Sequence, residues 1–393
     1  MKEGWTYKKL GEVCLKTKNI NWSTVDDNDS YYYIDLTSVD RSTLSIVEPQ
    51  IVTKENAPSR AKQIVSCGDI IFGTTRPTLK RLCIIPEEYD GQICSTGFCV
   101  LRPKEDVTSK WVFYAMQTDQ FYKYVEPLQV GVNYPAITDG NVREYKIPVP
   151  QLNEQYQIVS ELDLLSDVIK KQKTQIEELD KLAQSTFYDM FGDPVTNEKG
   201  WKIIKLGEAF SNIKNGANIQ QTKGAAGYPI TRIETLSNSV FNRDRLGYAD
   251  IMDISKYQSY VLNTNDILIS HINSKTKIGR AVVYIKEGNE IIIHGMNLLR
   301  LIPTDCINSI YAGYYFKSTK YKDDIAKIRK DAVNQSSFST SDLKKILIPL
   351  PPLTLQQEFA AKIEDIEQMK DKVRQSLKES EELFNSRMDY YFN

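Results

Sequence analysis

IPVPQLNEQ, residues 147–155, returns in altered form as IPLPPLTLQ, residues 348–356. Each phrase stands just before a long run of helix-forming residues. The prolines bias the chain toward extended backbone and keep a helix from starting before them. Asn153 and Thr354 then stand at N-cap positions, and Thr354 with Gln357 fits a capping box. Both phrases read as hinges that take the chain out of a globular domain and start a long helix.

The helices that follow carry a seam. Ile158, Leu162, Leu165, Ile169, Gln172, Ile176, Leu179 and Ala183 alternate steps of four and three. Phe359, Ile363, Ile366, Lys370, Val373, Leu377, Ser380 and Phe384 do the same. This is a heptad pattern with polar interruptions, and the expected partner of each seam is the other helix.

The repetition reaches beyond the hinges. Gly4-Trp5 and Lys9-Leu10-Gly11-Glu12 return as Gly200-Trp201 and Lys205-Leu206-Gly207-Glu208, an offset of 196. Gly68-Asp69-Ile70-Ile71 returns as Asn265-Asp266-Ile267-Leu268, Leu101-Arg102 as Leu299-Arg300, and Val132-Asn133 as Val333-Asn334. The offset drifts in one direction only, to 201. Chance matches would scatter, so the chain is a duplication of one domain-plus-helix unit.

The expected organisation is a domain over residues 1–152, a helix over 153–190, a linker over 191–199, a second domain over 200–353 and a second helix over 354–393. Each domain shows short strand-like runs, at 70–72, 97–101, 267–269, 281–285 and 290–293. Helical segments are expected near 108–124 and 307–328. The fold class is α+β, two tandem β-rich mixed domains separated by long helices. A linker of seven residues (193–199) is too short to lead back along the first helix, so the second helix must return antiparallel, giving a pseudo-twofold dumbbell.

Composition narrows the function. The chain is 41% hydrophobic and 26% charged, the balance of a globular protein, and no apolar run is long enough to cross a bilayer. The start has no apolar core of a secretory signal, and six cysteines without a CxxC pair suggest reduced thiols in a cytoplasm. Two histidines lack metal-ligand spacing, and phosphate-loop, dinucleotide and nucleophile-elbow motifs are absent. The expectation is a chain without its own catalytic site, metal or cofactor. Charge is uneven, at net −1 over residues 1–152, −4 over 153–190, +7 over 191–353 and −3 over 354–393. The second domain therefore suits a nucleic-acid face, and the helices suit protein docking better.

Candidate contacts lie in equivalent loops. The first domain offers Thr74, Thr75, Arg76, Lys80 and Arg81, and the second His271, Asn273, Ser274, Lys275 and Lys277. A further pair of loops offers Asn133 and Tyr134, and Arg329, Lys330, Asn334, Gln335 and Ser336. Arg reads guanine bidentately, Asn reads adenine, and Lys and Thr hold phosphates. The plainer alternative for each is a solvated loop that caps its domain. Tyr31-Tyr32-Tyr33 reads as core and rim rather than as a stacking platform.

The GW…KLGE openings, GDIIFGTTR, NDILISH…KIG and the two hinge phrases, in this order and in both halves, resemble the specificity subunit of a type I restriction–modification system. The resemblance implies two target-recognition domains, each reading half of a split sequence in double-stranded DNA. It implies a helix pair that sets the spacer and docks two methyltransferase subunits, with S-adenosylmethionine held on those subunits and none on this chain. Restriction subunits for translocation and cleavage join in the full complex. The half-sites are then expected about one helical turn apart. The first domain departs from expectation in not being basic. The competing readings are a coiled-coil scaffold joining two protein-binding domains and a nuclease-fused recognition module.

Overall fold

The computed structural model describes residues 4–222, 227–237, 240–333 and 335–393. It divides into two compact units, Met1–Lys173 with Gln375–Asn393, and Thr174–Arg374. The division cuts each long helix near its middle, whereas the expected boundaries set the helices apart from the domains.

In the first unit the opening strand Thr6–Lys9 pairs antiparallel with Lys146–Val149, with Thr6 opposite Val149. The first phrase of the repeat thus closes against the hinge phrase. A four-stranded sheet follows in the order Cys14–Leu15, Phe98–Pro103, Ile70–Gly73, Leu82–Ile84. Successive strand side chains point to opposite faces. Ile70 and Phe72 accordingly enter one core with Trp111 and Phe121, and Ile71 enters another with Ile34 and Phe98. Helices Ser109–Ala115 and Asp119–Val125 cover the first face, their N-termini capped by Thr108 and Thr118. A second sheet, in the order Gln50–Thr53, Ser30–Ile34, Ile93–Ser95, Ala61–Ile64, holds the tyrosine cluster. Tyr33 is buried, while Tyr32 sits on the rim edge-to-face with Tyr89 at 5.4 Å.

The second unit repeats the frame. Lys202–Lys205 pairs antiparallel with Leu347–Leu350. The central sheet runs Phe210–Asn215, Leu298–Pro303, Ile267–Ser270, Ala281–Val283, the same order as in the first unit. Ile267 and Ile269 face one core and Leu268 another. Helices Ser309–Tyr315 and Thr319–Ile328 follow, capped by Asn308 and Ser318. Each helical segment expected from sequence is therefore a pair of short helices. Residues 290–293 do not form the expected strand. Ile293 makes only isolated bridges to Ile230 and Val261, because Glu290 closes a turn by accepting from Glu287 N, Tyr284 OH and Arg243. The copies diverge most where the first has its second four-stranded sheet and the other a three-stranded one, Gln221–Thr222, Gly247–Ala249 and Tyr228–Ile230.

The long helices are Leu152–Phe191 and Leu353–Phe392, 40 residues each and so about 60 Å. They begin one turn position earlier than expected. Gln151 O accepts from Glu154 N and Gln155 N, and Pro352 O from Leu355 N and Gln356 N. Asn153 and Thr354 therefore lie inside the first turn and are not the caps. The anchor is the last residue of each hinge phrase. Gln155 is fully buried, accepts from Thr108 N at 2.9 Å, and donates to Asp106 O and Pro150 O. Gln356, equally buried, accepts from Asn308 N at 2.8 Å and donates to Cys306 O and Pro351 O. One amide thus ties helix start, hinge and domain helix together in each copy.

Within each unit the helix segments run antiparallel. In the first, Arg387 and Tyr391 reach Glu161 at 2.8 and 2.6 Å, and Phe392 lies 4.6 Å from Trp111. In the second, Phe187 and Phe191 pack on Phe359 at 5.8 and 5.2 Å, and Lys370 bonds Asp180 at 2.6 Å. Ile158, Leu162, Phe359, Ile363 and Ile366 are buried; Leu165, Ile169, Ile176, Leu179, Val373, Leu377 and Phe384 are half-buried. The heptad reading thus identifies the sheltered stripe of both helices. Its polar members are accommodated, with Gln172 donating to Ser376 and Lys370 held between Asp180 and Glu367.

Candidate nucleic-acid interface

In the first unit the buried strand Ile70–Gly73 delivers the chain to the surface at Thr74. Two loops named separately from the sequence meet here. Thr75 bridges Ala136, Arg76 N donates to Pro135 O at 2.6 Å, and Ile137 N donates to Thr74 O at 3.0 Å. Thr74 is buried, and both its amide and its hydroxyl donate to Gly97 O. It builds the loop, which corrects its assignment as a DNA contact. Thr75 and Arg81 are half-exposed; Arg76, Lys80 and Asn133 are exposed.

The two exposed cations are held by aromatic faces. Arg76 lies 4.8 Å over the Tyr134 ring and donates through Nη2 to Asn133 O at 2.9 Å. Lys80 Nζ lies 4.5 Å over the Tyr122 ring. Both residues have left-handed backbone, φ +50° and +57°, on either side of the short turn Pro77–Leu79. Such backbone is costly for a side chain with a Cβ, so the surrounding contacts must hold it. The consequence is two preoriented positive groups with little conformational entropy left to lose on binding.

In the second unit the equivalent strand, Ile267–Ser270, runs into the equivalent loop, and a small sheet joins it to the other candidate loop. Ile272–Asn273 pairs with Ser336–Ser337, which pairs with Lys330–Asp331. Lys275, Lys277, Ser274, Lys330 and Gln335 are exposed. Arg329 bonds Asp331 at 2.8 Å, and Lys275 lies 3.8 Å from the same carboxylate. Asn273 is half-exposed, but its amide donates to Ser270 Oγ and accepts from Ser274 N. Asn334 lies outside the described residues.

Two further assignments need correction. His271 is buried, and its Nε2 lies 3.0 Å from Asn215 Nδ2. Burial pushes its pKa down, so the ring is neutral and acts as a packing and hydrogen-bonding element. Ser336 is also buried, and its hydroxyl donates to Asp331. Thr74 and Ser336 turn inward to satisfy a backbone carbonyl and a carboxylate, and His271 turns inward to the side-chain amide of Asn215.

Sequence reasoning missed the loop tips. Val132 and Val333, at repeat-equivalent positions, are each 98% exposed, with Val130 and Tyr134 exposed beside the first. The signal was the Val-Asn pair common to both copies. It also missed the ion pair behind each loop. Asp69 accepts from Arg102 at 2.7 Å, and Asp266 from Arg300 at 2.6 Å. Each aspartate lies immediately before the strand that carries the loop, and its arginine on the neighbouring strand ties the two together. Among the described residues no group of three or more His, Cys, Asp or Glu is placed to hold a metal ion, and no helix is long and apolar enough to cross a membrane.

The profile of the family described as "Type I restriction modification DNA specificity domain" matches residues 2–181 and again 198–380. The chain is 40% identical over 171 residues to the putative type I restriction enzyme MjaX specificity subunit of Methanocaldococcus jannaschii, a match to 43% of this chain and 40% of that protein's length. It is 23% identical over 355 residues to the MjaIX specificity subunit of the same organism, covering 85% of this chain and 77% of that one. The fold is shared with a chain solved under the description "Structural basis underlying complex assembly and conformational transition of the type I R-M system", at TM-score 0.60 and 26% identity over 98% of this chain and 97% of that one. It is shared too with the type I restriction–modification S subunit from M. genitalium, at TM-score 0.55 and 15% identity over 99% and 96%.

Proposed function

The chain belongs to the type I restriction–modification DNA specificity family, and from this we propose that it is the DNA-reading, non-catalytic subunit of such a complex. It recognises a bipartite target, one half per domain. The observation that carries this reading is the duplicated site. In both copies a buried central strand ends in a loop bearing cations, and a second loop docks beside it. Two such sites on one chain suit two half-sites on one duplex.

The helix pair sets the unread spacer and docks two methyltransferase subunits. A surface that occurs twice on one chain takes two copies of one partner. Val168 and Met369, and Leu182 and Leu383, are repeat-equivalent, and each leaves an apolar side chain exposed on its helix. S-adenosylmethionine belongs to the methyltransferase subunits, and translocation and cleavage to restriction subunits. The test is to co-express the chain with the methyltransferase of its own system and map modified adenines across a genome. The expected result is a split motif with a fixed unread gap. Methylation at an uninterrupted motif, or without any motif, overturns the two-reader scheme. Replacing residues 4–146 with another domain of the family should change one half-site only.

A further inference from the structure

Beside the loop that follows Ile267–Ser270, the second unit opens a cleft of about 540 Å³. Lys275, Arg280, Lys322 and Arg329 line it together with Tyr321 and the stem of Lys317, whose ammonium stands 4.2 Å over the Tyr314 ring, and no carboxylate does. Asp331 offsets two of these cations, Lys275 and Arg329, from the loop alongside. The Tyr321 side chain is 1% exposed, and its hydroxyl is buried without a hydrogen-bond partner.

The first copy shows that neither feature is needed to build the frame. At an offset of 200, Tyr321 corresponds to Phe121, Lys322 to Tyr122 and Lys317 to Gln117. Phe121 fills the same place in its core, fully buried, with no hydroxyl. A buried unpaired hydroxyl costs stability, and like charges gathered round one cleft repel. An anionic ligand in the cleft removes the charge repulsion, while the Tyr321 hydroxyl, closed off from solvent, stays out of its reach. Lys275 and Arg329 belong to the candidate DNA-reading loops and to the cleft, so a duplex seated on the loops passes it.

We propose that this cleft binds a phosphate group, and that the phosphate is supplied by the backbone of the duplex read by the adjoining loops. The second half of this statement rests on the DNA-reading function above. The cleft supplies position and affinity, and carries no sequence information. It contributes two charges to the imbalance between the domains, since two of its lysines are replaced by Gln117 and Tyr122 in the first copy.

The test uses the full chain co-purified with its methyltransferase. The variants carry the first copy's residues, Lys317→Gln with Lys322→Tyr, and separately Tyr321→Phe. Binding is measured against salt for duplexes with and without the methylated motif, and melting is followed with inorganic pyrophosphate as a small probe. The double variant should bind both duplexes more weakly, with the log–log salt slope reduced by roughly 1, the share of Lys322, and the methylated motif unchanged. Tyr321→Phe, which removes a hydroxyl closed off from the cleft, is the control and should bind as the wild type does without a loss of melting temperature. A changed motif in the double variant overturns the phosphate role in favour of base contact. An unchanged slope with the pyrophosphate shift lost assigns the cleft to a free phosphate and overturns the duplex as its source. An unchanged slope with the shift retained overturns the site. If the wild-type complex binds no duplex, the DNA-reading function fails, and the pyrophosphate arm still decides whether the cleft holds an anion.

Discussion

Replacing Gln356 with Met tests whether the hinge amide is what joins domain to helix. Met keeps the volume and removes the hydrogen bonds. Three are lost, from Asn308 N at 2.8 Å, to Cys306 O at 3.2 Å and to Pro351 O at 2.9 Å. The side chain is fully buried, so water does not replace it. At about 1 kcal/mol net per bond, with the added cost of leaving backbone groups unpaired, the loss should be about 3–5 kcal/mol. Gln155→Met loses the same set, to Thr108 N, Asp106 O and Pro150 O, and should cost the first unit the same to within about 1 kcal/mol. Gln357, the exposed neighbour, is the control and should be neutral when changed to Met. Urea denaturation of the full chain, followed by a probe in each unit, reads both losses. A cost below about 1 kcal/mol for Gln356→Met, or equal costs for Gln356 and Gln357, refutes the latch.

Three further perturbations follow from the same geometry. Arg300→Met leaves Asp266 buried without its counter-ion, both groups being 3% exposed, and should cost about 3–5 kcal/mol, whereas Arg102→Met, with its side chain 32% exposed, should cost about 2; equal losses in a denaturant titration would contradict the burial argument. Burial holds the His294 pKa near 3 against an ordinary 6.5. The unfolded ring therefore takes up a proton below pH 6.5 that the folded ring refuses until about pH 3, and stability falls as pH falls through that window, by about 2 kcal/mol at pH 5. His294→Gln should flatten the loss between pH 7 and 5 by that amount, and an unaltered pH profile would exclude it. Inserting seven residues in register after Lys173 and after Arg374, where the chain passes between units, lengthens each helix by about 10 Å and should widen the unread gap by about 3 base pairs with both half-sites kept. A methylation map that shows an unaltered gap would contradict the ruler.

The frame was legible because its signals are local or periodic. A heptad seam and a duplicated phrase can be counted along one chain, and Ile158, Leu162, Phe359 and Ile363 lie buried as counted. The loops were legible as positions, since each follows a short continuous apolar run, the mark of a strand buried on both faces. What each polar residue does there was not legible. Thr74 turns inward to Gly97, His271 meets Asn215, and Gln155 meets Thr108, partners 23, 56 and 47 residues away. A polar residue reads as exposed until the group it satisfies is known, and that group is brought in by tertiary structure. The helix starts failed for a related reason. Asn153 and Thr354 have the right chemistry for caps, but the buried amides two residues later fix the first turn further back.

The duplication separates what the fold needs from what each site does. Both copies keep the edge strand pairing, the sheet order, the buried glutamine and the aspartate–arginine pair ahead of the loop. Both lose these resemblances at the surface. The first copy presents Arg76 and Lys80 braced on tyrosine rings in a domain without net positive charge. The second presents a broader field, Lys275, Lys277 and Lys330, partly balanced by Asp331. Rigid placement of few cations and looser placement of many are two physical routes to an anionic duplex. Because the ion pair ties the start of the loop-bearing strand to its neighbour, and the glutamine ties the domain to its helix, side chains at the loop can change without altering the strand that carries it. Recognition can therefore diverge in each half while the strand and helix that carry it stay the same.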